Sequence, residues 1–215
     1  MKKDLTELVF ILDESGSMSG MVADTIGGFN SMIEKQRREA GEAYVSTVLF
    51  SNDSRVIHDR VSLERVEPLT DRQYIPRGCT ALLDALGGAI RHIGNVHRYA
   101  RAEDVPEHTI FVITTDGMEN ASHRYTRAEI RRMVERQKEL FGWEFLFLGA
   151  NIDAISAAED IGIHRDRAVK YVQDRAGMEL NYRVLSDTLC AFRSARPVSG
   201  DWKAEIEADE QRRGQ

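Results

Sequence analysis

Short, unbroken apolar runs alternate along this chain with longer stretches in which apolar residues recur every three or four positions. The runs predict strands over residues 5–13, 44–51, 108–115, 143–148 and 167–171. Their continuous apolar character, rather than an apolar–polar alternation, is that of parallel strands covered on both faces. The stripes Val22, Ile26, Phe29, Ile33 and Leu83, Leu86, Ile90, Ile93 predict two amphipathic helices. Ile130, Met133, Val134 and Phe141 predict a third, and Leu180, Val184, Leu185, Leu189 and Phe192 a last helix packed back on the sheet. Strand and helix in alternation define an α/β fold with helices on both faces. One connection breaks the rule. Only Asn52-Asp53 separates the strand ending near Ser51 from the extended run 54–60. So short a turn joins antiparallel neighbours, which predicts a hairpin at the sheet edge.

With 215 residues the chain is long enough for one domain that buries about 70% of its unfolded surface. We expect that domain over residues 1–196 and a polar tail over 197–215, with Trp202 and Ile206 as its only possible anchors. The formal charge of −6 argues against nucleic acid as a partner. Arg131-Arg132 and Arg212-Arg213 have acidic neighbours and read as solvated surface. The two cysteines, Cys79 and Cys190, have no zinc-site or disulfide spacing. The run 8–12 is too short for a leader core, and no stretch is long enough to span a bilayer. These features predict a cytoplasmic protein without a membrane partner.

Chemistry enters at Asp13-Glu14-Ser15-Gly16-Ser17, directly after the first apolar run. In extended backbone alternate side chains point the same way, so Asp13, Ser15 and Ser17 can bring three oxygens to one point. One carboxylate and two hydroxyls form a hard, oxygen-only set suited to Mg²⁺ or Mn²⁺. Asp13 and Ser15 could equally cap the following helix. Two remote segments bear on that choice. Thr80 stands just ahead of the Leu83 stripe, and Asp116 follows the apolar strand 110–113 in Thr114-Thr115-Asp116-Gly117.

Taken together, these residues resemble a von Willebrand factor type A domain, of the standalone bacterial or phage type, with a metal-ion-dependent adhesion site (MIDAS). That site has the signature Asp-x-Ser-x-Ser, a remote Thr and a remote Asp, matched here by Asp13, Ser15, Ser17, Thr80 and Asp116. The resemblance covers roughly residues 5–170. It implies a Rossmann-like, doubly wound sheet of about six mostly parallel strands with one antiparallel edge strand. It also implies a bound Mg²⁺ or Mn²⁺ that keeps one position open for a Glu or Asp of a protein partner. A helix starting after Ser17 would add its positive end.

Two other functions remain. One is a non-catalytic subunit of a larger cytoplasmic complex, such as one built around an AAA-type ATPase, with a structural metal. The other is a magnesium-dependent phosphohydrolase. The hydrolase reading is the weaker, because Ser15 stands where an acid would be needed and no general base is evident. His58, His92 and His97 read as exposed, and His123 is the histidine nearest the motifs. Glu14 and Glu119 read as solvated neighbours of the ligand positions, Cys79 as a small side chain in place of glycine, and Met18, Met21 and Met118 as core or contact residues.

Overall fold

The run Leu8-Val9-Phe10-Ile11-Leu12 has no polar side chain to leave in water, and it forms the middle of a sheet covered on both faces. The computed structural model describes residues 1–150 and 153–213. In it β1 (Lys2–Asp13) pairs in parallel with β2 (Glu42–Phe50) on one side and β4 (Pro106–Thr115) on the other. β5 (Glu144–Gly149) and β6 (Ala168–Lys170) continue in parallel beyond β4. β3 (Ser54–Ser62) runs antiparallel to β2 at the far edge, as the short turn predicts. The strand order is β3-β2-β1-β4-β5-β6.

Alternate side chains of β1 divide the core in two. Leu8, Phe10 and Leu12 pack with α1 (Val22–Gln36), α5 (Arg175–Arg193) and α6 (Ala204–Arg213). Val9 and Ile11 pack with α2 (Leu82–Tyr99), α3 (Arg127–Phe141) and α4 (Ala154–Asp160). α1 and α5 meet closely at Gly28, where an added Cβ would lie 2.1 Å from Cδ2 of Tyr182. α3 opens on a capping box between Thr126 and Glu129 and closes on Gly142, whose φ of 65° suits a residue without a side chain.

Four details differ from the sequence expectations. α4 had no apolar stripe to announce it, since alanines supply its buried face. Phe141 falls on the face of Ile130 and Val134 by spacing, yet it is 58% exposed. It is the last residue of α3, shortly before β5 begins. His58 is buried rather than exposed: its ring stacks on Phe29, with Nδ1 3.0 Å from Thr47 Oγ1 and Nε2 3.0 Å from the Glu67 carbonyl. His97 is also largely covered, edge-on to Trp143.

The C-terminal residues described form a 3₁₀ turn (Gly200–Lys203) and α6, docked on β6 and α5. Ile206 is buried and Trp202 Nε1 donates to the Asp166 carbonyl at 2.7 Å. Lys203 Nζ adds bonds of 2.8 Å to the carbonyls of Arg165 and Ala168. The predicted tail continues into Gly214 and Gln215, which lie outside the described residues.

Among the buried charged residues, one lies in the middle of the sheet. Glu7 on β1 is wholly buried, with Arg60 Nε at 2.8 Å and His97 Nε2 at 3.4 Å from its Oε2. Its Oε1 has no partner. Removing Arg60 would strand that carboxylate, so Arg60→Met should destabilise the fold by roughly 2–4 kcal/mol in urea unfolding. Adding Glu7→Gln should recover most of the loss. Equal losses in Arg60→Met and in the double variant would show that the stranded carboxylate is not the cause.

Candidate metal centre

The winding direction reverses at β1: one crossover leads from β1 out to β2, and the next leads from β3 back past β1 to β4. In open α/β sheets the crevice beyond the carboxyl ends of two such strands is where ligands bind. Asp13 is the last residue of β1 and Asp116 the first after β4, so both carboxylates stand at that crevice.

Both are nearly sealed from solvent, at 1% and 2% exposure. Asp13 Oδ1 accepts from the Ser15 backbone at 2.7 Å, and Oδ2 accepts from the Thr115 hydroxyl at 2.6 Å. Asp116 Oδ1 accepts from Ser17 Oγ at 2.6 Å and from Ser15 Oγ at 3.5 Å. The two serine hydroxyls are 3.1 Å apart. Asp116 Oδ2 accepts from Gln173 Nε2 at 2.5 Å. All of these donors are neutral. Burial pushes the Asp13 carboxyl above its ordinary value, and the charge on Asp116 adds to the rise, against the hydrogen bonds from Ser15 and Thr115.

Thr80 is brought to the same place by a different device. Its backbone forms a reciprocal pair with Asn120: Thr80 N donates to Asn120 Oδ1 at 2.9 Å, and Asn120 N donates to the Thr80 carbonyl at 3.1 Å. Gly117 lets its hydroxyl approach. A Cβ there would sit 3.0 Å from Thr80 Oγ1 and 4.0 Å from Ser17 Oγ. All five residues singled out in the sequence therefore converge, four of them in one hydrogen-bonded chain and Thr80 beside it.

Ser15 does not cap a helix with its side chain. A 3₁₀ turn (Gly16–Met21) follows, and α1 begins only at Val22, so the positive end of a regular helix is farther from the site than expected. Met18 turns into the core, whereas Met118 beside Asp116 is exposed. Cys79 is exposed, its backbone N–H donating to Asn52 Oδ1 at 2.5 Å.

Several supporting residues carry no signal in the sequence. Glu14 is buried and not solvated: Arg55 Nη2 pairs with it at 2.8 Å and also holds the Gln73 carbonyl at 2.7 Å. The Tyr74 hydroxyl donates to the Asp13 carbonyl at 2.5 Å. Glu119 is likewise engaged, accepting from the backbones of Leu83, Ala121 and Ser122 at 2.9, 3.0 and 2.7 Å. Asp84 answers from α2, accepting from the backbones of His123, Arg124 and Tyr125 at 2.9–3.0 Å. These bonds clamp the loop after β4 onto the start of α2 and so hold Thr80. His123 itself is exposed, its ring 3.5 Å from Asp84.

The donor set fits a hard divalent cation. Two buried carboxylates with only neutral donors around them leave negative charge that a cation would balance, and the hydroxyls of Ser15, Ser17 and Thr80 are oxygen donors of the right kind. Among the described residues no group of three or more His, Cys, Asp or Glu offers an alternative centre.

Solved structures give this arrangement a context. A von Willebrand factor type A structure from Catenulispora acidiphila matches 86% of this chain and 42% of its own, at 14% identity and a TM-score of 0.56. Proximal thread matrix protein 1 of the mussel byssus, with a zinc-occupied MIDAS motif, matches 86% of this chain and 46% of its own, at 14% identity and a TM-score of 0.58. The manganese-loaded TRAP protein of Plasmodium vivax matches 69% of this chain and 58% of its own, at 17% identity and a TM-score of 0.50. No protein-family model and no curated protein sequence matches. The chain thus has the von Willebrand factor type A fold, and it spans less than half the length of the first two structures.

The clamp is open to direct test. Glu119→Ala should cost about 1–2 kcal/mol, the usual effect of losing a helix-start acceptor. Amide exchange at Leu83 and Ser122 should quicken while β1 amides stay protected. Unchanged exchange at both amides would refute the clamp.

Proposed function

We propose that this chain is a metal-dependent protein-interaction module, in which Asp13, Ser15, Ser17, Thr80 and Asp116 hold Mg²⁺ or Mn²⁺. The observation that carries the reading is the buried Asp13–Asp116 pair, bridged by two serines and met only by neutral donors. Zinc and manganese occupy the corresponding proteins named above, which supports a divalent ion without choosing magnesium. When bound, the ion supplies a coordination position for an acidic side chain of a partner protein.

The chain's own residues do the rest. Asp13 and Asp116 provide the charge, and Thr115 and Gln173 orient the two carboxylates through their outer oxygens. Ser15, Ser17 and Thr80 add hydroxyl oxygens, of which that of Ser17 belongs to an exposed residue while Ser15 and Thr80 are buried. With two carboxylates against a divalent ion, the centre is close to neutral and keeps appetite for a further anion. A third acid is absent from the motif, and His123, the histidine nearest to it in sequence, is exposed and turned to Asp84. That combination favours binding over phosphoester hydrolysis.

Calorimetric titration with Mn²⁺ should therefore give one site per chain, removed by Asp13→Ala and by Asp116→Ala. Undiminished binding in both variants would sink the assignment. Because three distant segments meet at the ion, saturating metal should also raise the melting temperature. Purified protein should release no phosphate from small phosphoesters above background in Mg²⁺. Turnover that disappears in Asp13→Asn would replace the module with an enzyme.

A further inference from the structure

At the pole opposite the carboxylates, where the strands begin, α2 and α3 part to leave a groove of about 890 Å³. From its shape, its apolar lining and its charge, we infer that this groove docks an acidic amphipathic helix of a partner protein.

The groove follows from two local facts. In the last turn of α3, Leu140 and Phe141 stand 63% and 58% exposed along one wall. Gly94 on the facing wall contributes no side chain, and Trp143 forms part of the lining between them. The two walls run along α2 from Ile90 to Arg98 and along α3 from Met133 to Phe141. Each is therefore about two turns long, at ~1.5 Å per residue. Apolar residues at the bottom of a slot between two helices are the geometry into which a third helix lays its apolar face.

Charge selects the occupant. Arg91, Arg98 and Arg136 line the groove and no Asp or Glu does, although the chain carries −6 overall. None of these arginines is in an ion pair among the described residues. A second copy of this chain, paired face to face, would set the three arginines against themselves. α6 is already docked on β6 and α5. A planar lipid surface would leave a concave slot unfilled. An apolar ridge flanked by Glu or Asp meets all these features at once.

The test is peptide selection against the whole chain in EDTA, so that metal plays no part. A phage-displayed library of random 16-residue peptides is selected on wild type, then counter-screened on two variants. One is Leu140→Ser with Phe141→Ser; the other is Arg91→Glu, Arg98→Glu and Arg136→Glu together. Both change exposed positions, and their melting temperatures verify folding. Recovered peptides should be acidic, with large apolar residues three or four apart. A representative synthetic peptide should bind at least 10-fold more weakly to either variant. No enrichment, or peptides that bind the variants equally well, would overturn the proposal. So would a dimer in sedimentation that the serine variant abolishes, or flotation with phosphatidylglycerol vesicles in the absence of peptide selection.

Discussion

Two carboxylates closed off from water at the ends of neighbouring strands set the terms for the rest of this structure. An ionised Asp13 or Asp116 in that position is costly unless its oxygens are met, and the chain devotes several elements to meeting them. The turn after β1 supplies Ser15 and Ser17, the end of β4 supplies Thr115, and the segment before α5 supplies Gln173. What these donors lack is charge. Arg55, the nearest basic residue in the network, is spent on Glu14, one position away from Asp13. The network orients the acids without supplying a positive charge to balance theirs.

Around that centre the fold is organised in clamps between distant loops. Glu119 and Asp84 each accept from backbone N–H groups of the other's segment across the start of α2, and Asn120 holds Thr80 between them. Arg55 and Tyr74 tie the segment before Gly78 to the end of β1. Loops of this kind are commonly mobile, but here each has its backbone groups taken up by a buried or half-buried side chain. The opposite pole has a clamp of its own, where Arg193 donates to the carbonyls of Gln36, Ala40 and Gly41. Elsewhere at that pole Leu140 and Phe141 are exposed in a groove that Arg91, Arg98 and Arg136 also line.

Much of this was legible in the chain itself. The apolar runs located the strands and the two-residue gap located the edge hairpin, because both signals depend only on near neighbours. The spacing of Asp13, Ser15 and Ser17 carried the first half of the site for the same reason. Thr80 and Asp116 became readable only through the resemblance, since their meeting depends on strand order. Gln173 had no signal at all, being 57 positions from its partner. Two of the misread residues share a cause. His58 and Glu14 are buried by the irregular segment between β3 and α2, where Leu63, Val66, Leu69 and Tyr74 enter the core without any period. Phe141 erred the other way, because helical spacing fixes a face but not whether a strand lies beneath it.

The central claim is that the charge left on Asp13 and Asp116 is balanced by one divalent cation. The most direct measurement is an anomalous difference map from crystals grown with Mn²⁺. The account predicts a single strong peak enclosed by Asp13, Ser15, Ser17, Thr80 and Asp116, with Gln173 still on Asp116. A map with no peak there at saturating Mn²⁺, or with its principal peak elsewhere on the chain, would contradict it.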